Sequence, residues 1–439
     1  MTEGTVPPPA IARATVTAAG IDPQHVDGLR RRMLWTLFAI SAFASTGYIA
    51  AGTVGTLVAA EIAGDAAFGG LPTTFAVLGT AASAALLSAV MLRVGRRPGI
   101  LIGLAIGIGG SVVAVSAVII SSIPLLLLGS ALTGFANGTG QLGRYVAADL
   151  ASPNRRASAI GTVVWGSTIG AVAGPNLIAA AGDVAASAGL PPLTGAYVVT
   201  AAFIGLAGVL AAIFLRPEPY ALADPYALAD PSALTTRPAG TEAPVLVSLL
   251  RRPAVSVALI ALVTGHVVMV LIMTMTPLHL RDHGHGLATV GFVLSAHLFG
   301  MFALSPLSGR LTDRFGSPRV IGAGLATLVA AAILSAVAPP DGGALLTLAL
   351  FLLGFGWNLG FVAASALLTA GMHLAERTRV QGFADGLVWT SSAAASLSSG
   401  VLVSSLSYPT LGVVGTVLLL VPAALLVLRR GGVGRRSPV

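Results

Sequence analysis

The chain has no cysteine, no lysine and little charge of any kind. Without cysteine there is no disulfide framework and no thiolate metal site. Only 9% of the 439 residues are charged, against about a quarter in a soluble domain. A soluble protein of this length could not cover its surface with so few charges. With 55% of its residues hydrophobic, the sequence reads as a polytopic membrane protein. All 24 basic residues are Arg; with 16 acidic residues they leave a formal charge of +8. Such a balance invites a nucleic-acid reading, and the placement of each Arg decides the matter.

Residues 1–29 are polar, carry Pro7-Pro8-Pro9 and lack an apolar core, so they do not read as a signal peptide. A bilayer span needs roughly 20 apolar residues. Twelve such segments follow, at 33–60, 72–92, 99–121, 124–147, 158–182, 194–215, 254–280, 289–311, 319–338, 344–370, 380–406 and 411–428. They must be helices, because open strands would leave unpaired amides in lipid. The expected fold is an all-α integral membrane protein of twelve transmembrane helices in two pseudo-symmetric six-helix bundles. Its parts are a cytosolic tail at 1–32, a bundle at 33–215, a cytosolic linker at 216–252, a second bundle at 253–428 and a tail at 429–439. With both termini inside, 23 of the 24 Arg fall in cytosolic segments or at span ends beside them, and only Arg281 lies in an outer loop. That asymmetry is the positive-inside rule, and it accounts for the basic charge without nucleic acid. The implied setting is a bacterial cytoplasmic membrane. The linker carries a tandem hexapeptide at 219–224 and 225–230, to which no chemistry is assigned.

The two halves repeat. The loop after span 2 reads Ser88-x3-Leu92-Arg93-x-Gly95-Arg96-Arg97, and the loop after span 8 reads Gly309-x3-Asp313-Arg314-x-Gly316-x2-Arg319. A repeat of six spans with a short basic turn after the second of each is a transporter architecture. Span 5 carries Gly170-x3-Gly174-Pro175, small residues that let helices approach and a proline that bends them. With these motifs the sequence resembles the major facilitator superfamily over about residues 33–428. The resemblance implies that Asp313 and Arg314 latch neighbouring helix ends on the cytosolic side, with Gly309, Arg93 and the Gly170, Gly174 and Pro175 motif in gating roles. The first half departs from the pattern: Leu92 stands in place of the acid, which leaves open whether that half has a latch.

Met and His crowd into spans 7 and 8. The window 266–301 is 36 of 439 residues, yet holds five of seven His and four of eight Met. Chance predicts about 0.6 and 0.7. His266, Met269 and Met273 share a helix face at i, i+3 and i+7; His297 and Met301 share one at i, i+4. Met273 and His297 lie about 10–12 Å below the outer surface, and Met269 and Met301 near the midplane. Two ligand-capable layers are expected, Met273 with His297 and Met269 with Met301, with His266 nearby. Thioether and neutral imidazole suit Cu(I). The pairs Met269-x3-Met273 and His297-x3-Met301 also resemble those of the CcoA-like copper transporters, a branch of the same superfamily. That resemblance implies copper import through these four residues. The branch also includes flavin transporters, so an organic-solute reading stands beside it, with Trp357 and Asn358 suiting a heterocycle.

His279, His283 and His285 are expected at the outer mouth as capture residues. Asn137, Gln141, Arg144 and Asn358 are the candidate polar cavity residues. Carboxylates are expected only toward span ends, Glu61 and Asp385 being nearest. This weakens the reading as a proton-coupled drug or metabolite exporter. The remaining alternative is a membrane metal receptor without flux. No nucleophile with a base and no phosphate loop appears, so no enzyme is expected. The partners expected are the bilayer and a small substrate, for a monomer without cofactor.

Overall fold

In the computed structural model the described residues are 23–223, 246–285, 287–339, 343–372 and 374–428. Most of the N-terminal tail, the second copy of the hexapeptide and the C-terminal tail lie outside them. The first six long helices are α1 (Pro23–Ala63), α2 (Leu71–Val94), α3 (Arg96–Ile119), α4 (Ile123–Leu150), α5 (Arg156–Ser187) and α6 (Thr194–Phe214). The second six are α7 (Pro253–Asp282), a broken α8 (Leu287–Leu298 and Ser305–Phe315), α9 (Ser317–Val337), α10 (Gly343–Leu368), α11 (Leu374–Ser405) and α12 (Tyr408–Leu428). Ten pass as membrane spans by length and hydropathy, and the two bent segments of α8 together make an eleventh. Helix α4 is long enough but more polar. It packs against α1, α2, α3 and α5, and nearly all of its C-terminal half is buried. Its polar groups therefore face protein, as intramembrane polar groups do.

Helices α1–α6 pack on one another, as do α7–α12. The matching turns of the repeat are built alike. Gly95 and Gly316 have φ of 98° and 85°, a backbone region that residues with a Cβ rarely enter. Large apolar side chains such as Leu86, Val112, Val209, Phe292, Val401 and Val417 are exposed, the surface that lipid covers.

Two helix starts differ from the sequence expectation. Helix α1 begins at Pro23, so residues 23–32 are its first turns rather than tail. Arg30 there donates to the Leu222 carbonyl at 2.8 Å, tying the helix to the start of the linker. Helix α11 begins at Leu374, not 380. Arg377 and Thr378 in its first turns are buried, Arg377 against Asp149 of the other bundle, so their polarity does not mark a loop.

The break in α8 has a local cause. A π turn at Phe299–Ala303 precedes Pro306, which has no N–H to give. The two segments bend by 41°. Asn358 of α10 repairs the break: its Nδ2 donates to the Met301 carbonyl and to Ser305 Oγ, both at 2.6 Å. Its Oδ1 accepts from Ser308 Oγ at 2.5 Å. Its hydrogen-bonding groups are thus committed to α8, which corrects the expectation of a cavity-lining amide.

Candidate functional site

The Arg-rich helix ends lie together at one end of the molecule, here called the basic end. Every described hydrogen bond between the bundles lies toward it. Asp313, on the second segment of α8, accepts from the backbone N–H of Ala157 at 3.1 Å and Ser158 at 2.9 Å. These are first-turn donors of α5, which no intrahelical carbonyl satisfies, and the helix dipole favours a carboxylate there. The approach is possible because Gly161 and Gly309 lack side chains. A Cβ on Gly161 would lie 2.3 Å from the Ser305 oxygen, and one on Gly309 2.6 Å from the Ala157 oxygen. Arg314 is exposed over the Phe315 ring.

The first half has its own latch, built from other residues than those expected. Arg93 is exposed and makes none of the described inter-bundle bonds. Arg96 is fully buried and donates to Asp149 Oδ2 at 2.7 Å and Gln381 Oε1 at 2.8 Å. Arg377 Nη1 lies 3.4 Å from Asp149 Oδ1. The acid missing at position 92 is thus supplied by Asp149 at the end of α4. The linker joins in. Glu218 accepts the Arg96 N–H at 2.6 Å, and the Tyr220 hydroxyl lies 2.6 Å from Thr378 Oγ1 of α11. Burial pushes the Glu218 carboxyl above its ordinary value, against the pull of the Arg96 and Arg97 N–H donors. Gly170 and Gly174, by contrast, press on Ser45 and Ile49 of α1 in their own bundle. They are spacers within a bundle and not part of the contact between bundles; Pro175 lies inside α5 between its turns.

Deeper in, Arg144 Nη2 of α4 donates to Asp385 Oδ1 of α11 at 2.6 Å, and the Tyr145 hydroxyl donates to the same oxygen at 3.0 Å. Both charged side chains are 2% exposed. Asp385 lies eleven residues into α11, about 16 Å along its axis. The carboxylate expected at a span end is therefore inside the protein. The late start assigned to span 11 hid it. Gln141 accepts from Arg144 through its backbone oxygen at 2.7 Å. Asn137 donates to Thr80 Oγ1 at 3.3 Å within its own bundle.

One helical turn further from the basic end sits an aromatic group. Arg144 Cζ lies 4.4 Å from the Phe361 ring centroid. Phe361 stacks on Trp357 at 4.5 Å. His266 of α7 meets Trp357 at 5.6 Å and Trp389 at 5.2 Å, each edge-on. Trp357 precedes Phe361 by four residues and Trp389 follows Asp385 by four, so the two indoles lie about 6 Å beyond Phe361 and Asp385 along their helices. Trp389 has no sequence signal that singles it out; its partner lies 123 residues away.

The Met and His candidates are divided by packing. Helices α7 and α8 each pack on α10 and touch each other little. Met269, His297 and Met301 are buried, and Met273 is half-buried. His297 Nδ1 lies 2.9 Å from the Leu350 carbonyl of α10. Its Nε2 is buried without a partner. Trp357 Nε1 donates to His266 Nδ1 at 2.9 Å. That removes His266 from the ligand set, because the remaining nitrogen must carry the proton. Among the described residues no three His, Cys, Asp or Glu converge on a metal-sized site. At the far end His279 stacks on Tyr408 at 4.1 Å and lies 4.4 Å from the His283 ring. His283 Nδ1 is 2.8 Å from the His279 carbonyl, and His285 lies beside Gly343.

Two six-helix bundles, latched at one end around a buried ion pair, define a membrane carrier that exposes its centre by rocking. Residues 34–290 and 271–438 match the Major Facilitator Superfamily, and the chain belongs to it. It is a secondary transporter of that superfamily. The chain is 36% identical over 415 residues, 93% of each chain, to YddS of Bacillus subtilis, described as an uncharacterized transporter of this type. It is 29% identical over 359 residues, 82% of this chain and 86% of the other, to the riboflavin transporter RfnT of Brucella anthropi. Among solved structures, the proton:xylose symporter XylE superposes with a TM-score of 0.71 at 14% identity, covering 93% of this chain and 96% of that one.

Proposed function

We propose that the chain carries a planar aromatic organic solute of the riboflavin class into a bacterial cell, with the basic end and both termini in the cytosol. The observation that carries this reading is the aromatic group of His266, Trp357, Trp389 and Phe361, one turn from the Arg144–Asp385 pair. Stacked and edge-on rings suit a heterocycle, and a charged, hydroxyl-bearing floor suits its polar substituents. The similarity to RfnT supports the same substrate class. The positive-inside rule supports the orientation, so the latched basic end makes this a state closed to the cytosol. Asp385 Oδ2 has no partner and is the group assigned to carry a coupling proton. The test is uptake of labelled riboflavin by a riboflavin-requiring bacterium with and without this chain. Uptake that depends on the chain is expected; none would overturn the reading.

Copper import is the second reading, and one observation favours it. His297 Nδ1–H donates to a backbone carbonyl and leaves a bare, buried Nε2 lone pair, the arrangement that second-sphere carbonyls impose on metal-binding imidazoles. Met269 and Met301 are likewise buried. Under this reading His297→Ala abolishes chain-dependent copper accumulation.

A further inference from the structure

The two buried imidazoles of the second bundle are set in opposite tautomers by their neighbours. His297 Nδ1 faces the Leu350 carbonyl, which only accepts, so its proton is on Nδ1. His266 Nδ1 faces the Trp357 indole N–H, which only donates, so its proton is on Nε2. None of the described hydrogen bonds uses His266 Nε2. The fold therefore presents a neutral N–H donor on a ring that packs roughly perpendicular to two indoles. Accepting from Trp357 accounts for one nitrogen of His266 and leaves the Nε2–H without an assigned role.

We propose that His266 is a specificity residue whose Nε2–H donates to an acceptor, a ring carbonyl or ring nitrogen, on the edge of a planar heterocycle. Trp357 is its positioning residue, holding the tautomer, and Trp389, half-buried on the far flank, supplies the ring face. The proposal rests on the aromatic-solute reading and sharpens it. The substrate must carry an unsubstituted acceptor at the edge of its ring system, and a purely hydrocarbon ring or a bare metal ion does not satisfy the site. The position agrees with this role. Trp357 and Trp389 lie one turn beyond Phe361 and Asp385, so a ring held there reaches the Arg144–Asp385 pair with its polar substituents. Rocking that parts Arg144 from Asp385 would then be felt by the bound solute.

The test uses the full chain in cells and in detergent. Riboflavin uptake is measured for the wild type, His266→Phe, His266→Gln and Trp357→Phe. His266→Phe keeps an aromatic ring and removes both the Nε2–H donor and the acceptor of the Trp357 N–H; Trp357→Phe removes that indole N–H alone and so separates the two effects. Its KM is expected to rise about 10- to 100-fold with the maximal rate near wild type, since a lost directed bond leaves an acceptor unpaired in a dry site. His266→Gln, which retains an N–H donor, recovers part of that loss. Trp357→Phe, which frees the tautomer, gives an intermediate KM. An unchanged KM in His266→Phe overturns the proposal, as does a loss of maximal rate with KM unaltered. Absence of riboflavin uptake by the wild type is a failure of the substrate reading, not of this one. The proposal is then decided by quenching of tryptophan fluorescence with riboflavin, lumichrome and adenine. Quenching of the wild type by at least one of them that weakens at least tenfold in His266→Phe supports it. Equal quenching of both proteins, or none of the wild type, overturns it.

Discussion

Replacing Asp385 by Asn tests whether the deep ion pair holds the basic end shut. Asp385 and Arg144 belong to different bundles, so their contact exists only while that end is closed. Asparagine keeps the volume and removes the charge. In the closed state Arg144 then remains buried and charged, with Gln141 and Tyr145 as its remaining oxygen partners. Removing one partner of a buried pair costs about 3–5 kcal/mol, because the other charge stays desolvated. When the basic end opens, Arg144 regains water and most of that cost disappears. The closed-to-open ratio should therefore fall by about two to three and a half decades, at about 1.4 kcal/mol per decade. The chain has no Cys, so spin labels at Arg93→Cys and Arg379→Cys need no background removed. Both positions are exposed, on α2 and α11 at the basic end. In Asp385→Asn the distance distribution between them should move to longer values. The double variant Arg144→Gln with Asp385→Asn removes the stranded charge and should bring the short distance back in part. A distribution in Asp385→Asn that matches the wild type would refute the reasoning.

Two further outcomes follow from close contacts. Gly161→Ala places a Cβ 2.3 Å from the Ser305 oxygen, so α5 and α8 can no longer meet; the same label pair should report an opened basic end without any charge having changed. Asn358→Leu strands the Met301 carbonyl beside Pro306. An unsatisfied buried acceptor costs about 1–3 kcal/mol, so the apparent melting temperature in detergent should drop while the label distances at the basic end stay near wild type.

The latch and the substrate site differ in how far the chain itself spells them out. Asp313 and Gly316 stand out because their spacing repeats that of the first half. Arg96 stands in the first-half motif, but its partners Asp149 and Gln381 come from two distant helices, and only packing puts them against it. Whether the first half has a latch is therefore left open in sequence, where Leu92 holds the acid's place. Asp385 is a single carboxylate near what looks like a span end. The start of α11 at Leu374, ahead of the apolar run, turns it into an intramembrane charge.

Composition and periodicity by themselves determined a great deal. Few charges, long apolar runs and one-sided Arg placement dictate a polytopic helical protein, because lipid solvates neither open backbone nor bare charge. The internal repeat dictates two like bundles. Those are local properties, written into each span separately. Tertiary structure alone decided which polar residues meet. A helix face shows that His266 and His297 point inward, but not that one meets an indole N–H and the other a carbonyl. That difference sets which nitrogen carries the proton, and so whether the imidazole offers a donor or a lone pair. A pattern within one helix carries no information about the partner on the next, and the chemistry of this site lies between helices.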